Sequence, residues 1–314
     1  MPNFFQNLIN VVFPKPAPPE AAPVRKQDPD ATLPLPPLAD TQHAAPLVLK
    51  SSSGAALPKR LTVGIAQDVG RARSHNEDVL IAFTGELGGL ETMPNFGLFI
   101  VADGMGGHSQ GERASSIAAR TLARSALEQI LPSLLADPQA NTERPMLSEV
   151  MENATCAANT AVLKIVPDGG TTITGALVLG EQVILAHVGD SRAYIITSEG
   201  IEQVTRDHSL VQRLKELGQI TADEAATHPQ RSVLYKAVGQ SEGLEVDVIS
   251  RRLPPGAILL LCSDGLWSLV ADSLIFELIR KTTSLQMAGE ALVAAANAAG
   301  GPDNITAVLV QLPG

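Results

Sequence analysis

The sequence predicts an α+β domain in which antiparallel sheets are covered by helices. Two observations carry this: strand-like apolar runs come in adjacent groups, and helical stretches come in pairs. A third sets where the domain starts. Residues 1–58 hold 12 of the 22 prolines, in runs such as PKPAPPE and LPLPPL that neither pair as strands nor continue as helices. That stretch is expected to be a solvated linker. Its apolar segment 4–13 (FFQNLINVVF) is the alternative, a docking helix for a membrane or a partner, although ten residues are marginal alone.

The folded part is expected over 59–314. Strand-like runs lie at 61–66, 79–83, 97–102, 172–179, 182–188, 193–197, 257–262 and 305–311. A helix over 110–131 places Ala114, Ala118, Leu122, Ala126 and Ile130 four apart, and a second lies at about 146–165. A late helix, 284–299, places Leu285, Ala288, Leu292, Ala295 and Ala299 on one face, and Gly300, Gly301 and Pro302 stop it. No internal repeat is evident.

Composition narrows the function. The chain of 314 residues is 45% hydrophobic, enough for a sizeable core. No apolar run reaches the roughly 18–20 residues of a transmembrane helix, and no basic n-region with a cleavage site opens the chain. Residues 1–58 carry equal numbers of basic and acidic side chains, so the formal charge of -10 belongs wholly to the folded part. Such a domain is a poor electrostatic partner for nucleic acid. Two cysteines, Cys156 and Cys262, are too few for a disulfide framework and fit a reducing compartment. The protein is read as cytoplasmic.

The informative feature is where the aspartates sit. Asp103 ends GLFIVA, Asp190 ends VILAHVG and Asp264 ends ILLLCS, while Asp78 opens VLIAF and Asp303 opens NITAVLV. Acids at junctions of buried strands are costly unless paired or metal-bound. Near them in sequence lie only Arg73, Arg113 and Arg192. Hard oxygen ligands without a Cys or His signature point to Mg2+ or Mn2+. Any one aspartate is more readily a turn former or helix cap; five at strand ends weaken that reading. The loop Asp103-Gly104-Met105-Gly106-Gly107 lets a carbonyl turn toward an ion. It is not a dinucleotide fingerprint, since Ser109 stands where glycine is needed, and the chain has no Gly-Lys-Ser/Thr triplet of a P-loop.

Taken together, these segments resemble the metal-dependent protein serine/threonine phosphatases of the PP2C (PPM) family, bacterial branch. The resemblance spans about 60–312 and rests on DVGRARSHNEDVLIAF (68–83), FIVADGMGGHSQGERAS (99–115), GGTTITGALV (169–178), AHVGDSRAYII (186–196), the stretch 205–239, LLLCSDGLWSLV (259–270) and GPDNITAVLV (301–310). It implies a central antiparallel β-sandwich with helix pairs on both faces, a four-layer αββα fold. It implies that Asp103 bridges two metal ions, with the Gly104 carbonyl on one and Asp264 and Asp303 on the other. Glu77 and Asp78 would hold metal-bound waters, Arg73 the phosphate, and Asp190 a third, weaker ion. The stretch 205–239 would be a flap beside the site. The substrates implied are phosphoserine and phosphothreonine proteins, with a serine/threonine kinase as the opposing enzyme.

The chemistry is coherent on its own terms. Two divalent ions can clamp phosphoryl oxygens and activate water, and a planar guanidinium holds two of those oxygens better than Lys would. No Cys-x5-Arg loop exists to form a covalent phospho-enzyme. Two departures stand out. Met105 occupies the position where eukaryotic relatives carry a histidine, and His108 is not given its role. Ser268 replaces an aspartate found in many relatives, which removes a ligand from the third ion. The other singled-out residues have bland readings: His75 solvated, His208 and His228 structural in the flap, Trp267 and Cys262 core, and Arg192 a brace for Asp190 or its loop. Two rivals are weighed: a non-catalytic phosphoprotein-binding member of the fold, disfavoured because all the main ligands are present, and a two-metal phosphodiesterase or nuclease, disfavoured by the acidic surface.

Overall fold

The computed structural model describes residues 60–86, 94–106, 110–136 and 145–313. The expectations for the 1–58 linker, the 4–13 segment and His108 lie outside the described residues. In chain order the elements are β1 (Thr62–Asp68), β2 (Val79–Gly85), β3 (Phe96–Ala102), β4 (Gly104–Met105), α1 (Gln110–Leu134), α2 (Leu147–Ile165), β5 (Gly170–Thr171), β6 (Ile173–Leu179), β7 (Gln182–Val188), β8 (Arg192–Ile196) and β9 (Ile201–Gln203). There follow α3 (Leu210–Glu216), α4 (Ala222–Ala226), β10 (Asp247–Arg252), β11 (Ile258–Cys262), α5 (Asp264–Trp267), α6 (Asp272–Lys281), α7 (Leu285–Ala298) and β12 (Ile305–Gln311).

Two five-stranded antiparallel sheets form, in the orders β1-β12-β11-β8-β9 and β10-β7-β6-β3-β2. Strand periodicity sorts their side chains into layers. Phe99, Val101, Ala176, Val178, Leu259, Leu261, Val308 and Val310 meet between the sheets. The alternate residues Leu98, Ile100, Ala102 and Leu177 face α1 and α2, packing on Ala118, Leu122 and Met151. On the far side Leu260, Cys262, Ala307 and Leu309 pack under α6 and α7, on Ile275, Leu285, Ala288 and Leu292. The result is the four-layer αββα arrangement expected above.

The differences are local. The run 172–179 is β6, which starts one residue later at Ile173; Thr172, where the chain turns to meet Asp103, separates it from the two-residue β5. The helix expected to end at 131 continues through Pro132 to Leu134. On α7 the buried stripe drifts to Val293 and Ala296, and Ala299 lies exposed beyond the helix end. The stop itself is as expected: Gly300 and Gly301 take positive φ, and their amides close on the Asn297 and Ala296 carbonyls. Edge strand β10 (DVISRR) escaped notice because charges interrupt its apolar run, a common device at sheet edges. Helix α6 carried a readable signal, Ile275 and Ile279 four apart between Asp272 and a basic last turn. Among the described residues no helix is long and apolar enough to cross a membrane.

Candidate active site

The strand ends that carry the acids gather at one end of the sandwich. The loop after β1 is shaped by Gly70, at φ +83°, and by its amide donating to Asp68 Oδ1. Asn304 then staples this loop. Its amide nitrogen donates to the Val69 and His75 carbonyls at 2.9 and 3.0 Å, and its oxygen accepts from the Glu77 amide at 2.8 Å. Glu77 and Asp78 are thereby held buried at the start of β2.

Asp78 Oδ2 accepts two hydroxyl hydrogen bonds, from Ser263 at 2.7 Å and Thr306 at 2.6 Å. Its other oxygen, Oδ1, is buried without a partner. Burial pushes the Asp78 carboxyl up to about 7 against those two hydrogen bonds, and the charges of Asp264 and Asp303 add to the rise. Burial likewise raises Asp264 to about 6, with Asp303 adding to it and a side-chain hydrogen bond to Asp103 opposing it. Asp103 and Asp190 lie well above the ordinary carboxylate range, again chiefly through burial. Asp103 also feels Asp78, Asp264, Asp190 and Asp303; Asp190 feels Asp264 and Asp207.

Asp103 sits where β3 ends. Its amide donates to Thr172 Oγ1 at 2.9 Å, and its carbonyl accepts from the Thr172 amide and the Thr171 hydroxyl. The next residue has no room for a side chain. A Cβ on Gly104 would stand 2.3 Å from the Gly111 carbonyl oxygen and 2.7 Å from that of Glu77. Asp190 follows Gly189, and its carbonyl accepts from Trp267 Nε1 at 2.9 Å. The Trp267 ring lies 3.5 Å beneath the Arg192 guanidinium.

The cations settle differently from the sequence neighbourhood. Arg192 pairs bidentately with Asp207, at 2.9 and 2.7 Å, and donates to the Tyr194 hydroxyl. It braces the Asp190 loop through Trp267 and leaves Asp190 itself unpaired with it. Arg73 reaches across to Asp303, Nη2 to Oδ2 at 2.8 Å, with Glu77 at 4.0 Å. One of the five strand-end acids is therefore paired with arginine, and the pair is open to solvent.

The residues fit a divalent cation in charge, in their hard oxygen donors, and in the bare buried Oδ1 of Asp78. Among the described residues no three Asp, Glu, His or Cys side chains converge as a ready-made cage. Carbonyl and water oxygens must complete any coordination shell here. His75 is half-exposed and within 3.4 Å of Glu77 Oε1. Ser268 is exposed at the end of α5. Cys262 is buried with its thiol pushed up, and Trp267 is only partly buried. Ser115, Thr171, Thr172, Ser263, Asn304 and Thr306 hold the acids in place, and reading the acids alone missed them. Their one sequence signal is a small hydroxyl or amide residue beside or opposite each acid.

Comparison with known proteins agrees with this geometry. A family model described as Protein phosphatase 2C matches residues 88–299. Serine/threonine phosphatase stp of Listeria monocytogenes is 35% identical over 244 residues, 78% of this chain and 93% of the relative. The crystal structure of the Mycobacterium tuberculosis serine/threonine phosphatase PstP/Ppp superposes with a TM-score of 0.66 at 32% identity, covering 81% of this chain and 99% of that one. The catalytic domain of PstP in complex with two manganese ions superposes with a TM-score of 0.65 at 30% identity, covering 81% and 99%.

Proposed function

The chain belongs to the protein phosphatase 2C family, and from that premise we propose that residues 59–314 hydrolyse phosphoserine and phosphothreonine on proteins. The observation that carries this is that acids from separate strand ends share one site: the charges of Asp78, Asp264, Asp190 and Asp303 all bear on Asp103, Asp78 Oδ1 is buried without a partner, and the Arg73 guanidinium stands at the rim on Asp303.

Asp103, Asp264, Asp303 and the Gly104 carbonyl are the proposed donors to two divalent cations, Mn2+ or Mg2+. Glu77 and Asp78 act through water, and Asp190 serves a third ion. When bound, such ions neutralise phosphoryl charge and make a water nucleophilic at neutral pH. Asp78 Oδ1 is the free acceptor that orients a water, because Ser263 and Thr306 occupy Oδ2. Arg73 turns its planar fork from Asp303 to two phosphoryl oxygens of the substrate. The opposing enzyme is a serine/threonine kinase in the cytoplasm, and the N-terminal 1–58 segment is a linker or docking tail.

The test is phosphate release from a phosphothreonine peptide with Mn2+, with and without chelator. Release that survives full chelation, or that persists in Asp264→Asn, defeats the proposal.

A further inference from the structure

A second buried polar assembly stands behind Asp190 at the root of the 205–239 flap. The His208 ring is buried between the 189–191 loop and β10. Its Nδ1 accepts from the Gly189 amide at 3.0 Å, so the ring proton sits on Nε2, which donates to Asp247 Oδ2 at 3.1 Å. The His208 amide donates back to the Gly189 carbonyl at 2.7 Å, making a two-point lock on the residue before Asp190. Lys236 holds the other oxygen of Asp247 at 2.9 Å, and the Tyr235 amide donates to the His208 carbonyl. Both ends of the flap therefore meet at His208. His187, its ring 4.9 Å away, donates from Nε2 to the Arg206 carbonyl and so fixes the strand of entry.

We propose that His208 is a positioning residue whose ring and backbone hold the 189–191 loop, and with it Asp190, to the flap root. Flap and loop then move as one piece, and whatever seats on the flap is felt at Asp190. The consequence for catalysis rests on the reading of Asp190 as facing a metal ion; the mechanical lock does not.

Two substitutions separate the two ends of the ring. His208→Asn keeps an acceptor near the position of Nδ1 and loses the reach to Asp247. His208→Gln keeps a donor toward Asp247 and loses the acceptor for Gly189. In the full chain under chelator, amide exchange over residues 186–193 should quicken about tenfold in His208→Ala and His208→Gln, the worth of one lost buried hydrogen bond, and stay near wild type in His208→Asn. The Mn2+ concentration for half-maximal phosphate release should rise in the same two variants and be rescued by Asn. A purely structural role would move melting temperature alike in Asn and Gln without this split. Unchanged exchange in His208→Ala and His208→Gln, or rescue by Gln and not by Asn, overturns the proposal. A wild-type chain without Mn2+-dependent turnover would sink the phosphatase reading, while the exchange series still decides the lock.

Discussion

Arg73 Nη2 donates to Asp303 Oδ2 at 2.8 Å, joining residues 230 positions apart at the rim of the acidic cluster. The pair is open to solvent, so it is weak and exchangeable, and a phosphate dianion is a better partner for the guanidinium. Arg73→Ala should lower kcat/KM on a phosphothreonine peptide by roughly 10- to 100-fold, the worth of charge-assisted hydrogen bonds. Arg73→Lys should recover little of it. Wild-type kinetics in Arg73→Ala would remove this residue from phosphate binding.

Asp78→Asn should have opposite effects on stability and on metal response. In chelator the variant should melt above the wild type, because a carboxyl whose ionisation burial penalises has been replaced by a neutral amide. Mn2+ at about 100 times its dissociation constant should stabilise the wild type by about 2.7 kcal/mol and the variant by clearly less. Calorimetric melting with and without Mn2+ reads both. Equal Mn2+ stabilisation in the two proteins would exclude Asp78 from the shell around the ion.

The same acids set a pH dependence in the metal-free protein. Asp78 at about 7 and Asp264 at about 6, with Asp103 and Asp190 also raised, bind protons more tightly folded than unfolded. For Asp78 and Asp264 the stabilisation is full below the unfolded value of 3.8 and is lost as pH rises through 6 to 7, and Asp103 and Asp190 act in the same direction. Buried His187 opposes them: at about 3 against 6.5, its contribution is present above 6.5 and lost as pH falls toward 3. His208, also lowered by burial, opposes them in the same sense; four acids outweigh two histidines, so the chelated protein should melt lower at about pH 8 than at about pH 5. Mn2+ should flatten the curve. A chelated melting temperature that climbs across that interval would contradict the cluster.

Gly104→Ala and Gly265→Ala should each be costly, because the new Cβ would stand 2.3 Å from the Gly111 carbonyl oxygen and 2.0 Å from that of Asn304, both rigid backbone. A loss of about 1–3 kcal/mol or more in denaturant unfolding is expected, with reduced turnover. Gly200→Ala, which meets nothing within 4 Å, is the control and should be near neutral. Equal unfolding midpoints for Gly104→Ala and the control would mean the Asp103–Gly104 turn has slack.

Much of the fold was legible because each layer leaves a period in the chain. β3, β6, β11 and β12 read as unbroken apolar runs since both of their faces are covered. β10, α3 and α4 were not legible, being an edge strand broken by charge and two helices of only a few residues. The acids of the site were visible as aspartates closing buried runs. Asn304, Ser263 and Thr306 carried only a weak signal, since a small polar residue beside a strand has many ordinary uses.

The amino-acid order by itself determined most of the strands, the long helices that cover them, and that five aspartates stand at strand ends. Those properties are local, written in periods of two and near four residues. Only the packed layers decided that Arg73 meets Asp303, that Ser263 and Thr306 share one oxygen of Asp78, and that His208 locks onto Gly189. Such contacts span 19 to 230 positions. A hydrogen bond depends on tenths of an ångström, and only the closing of one sheet upon another sets distances that fine.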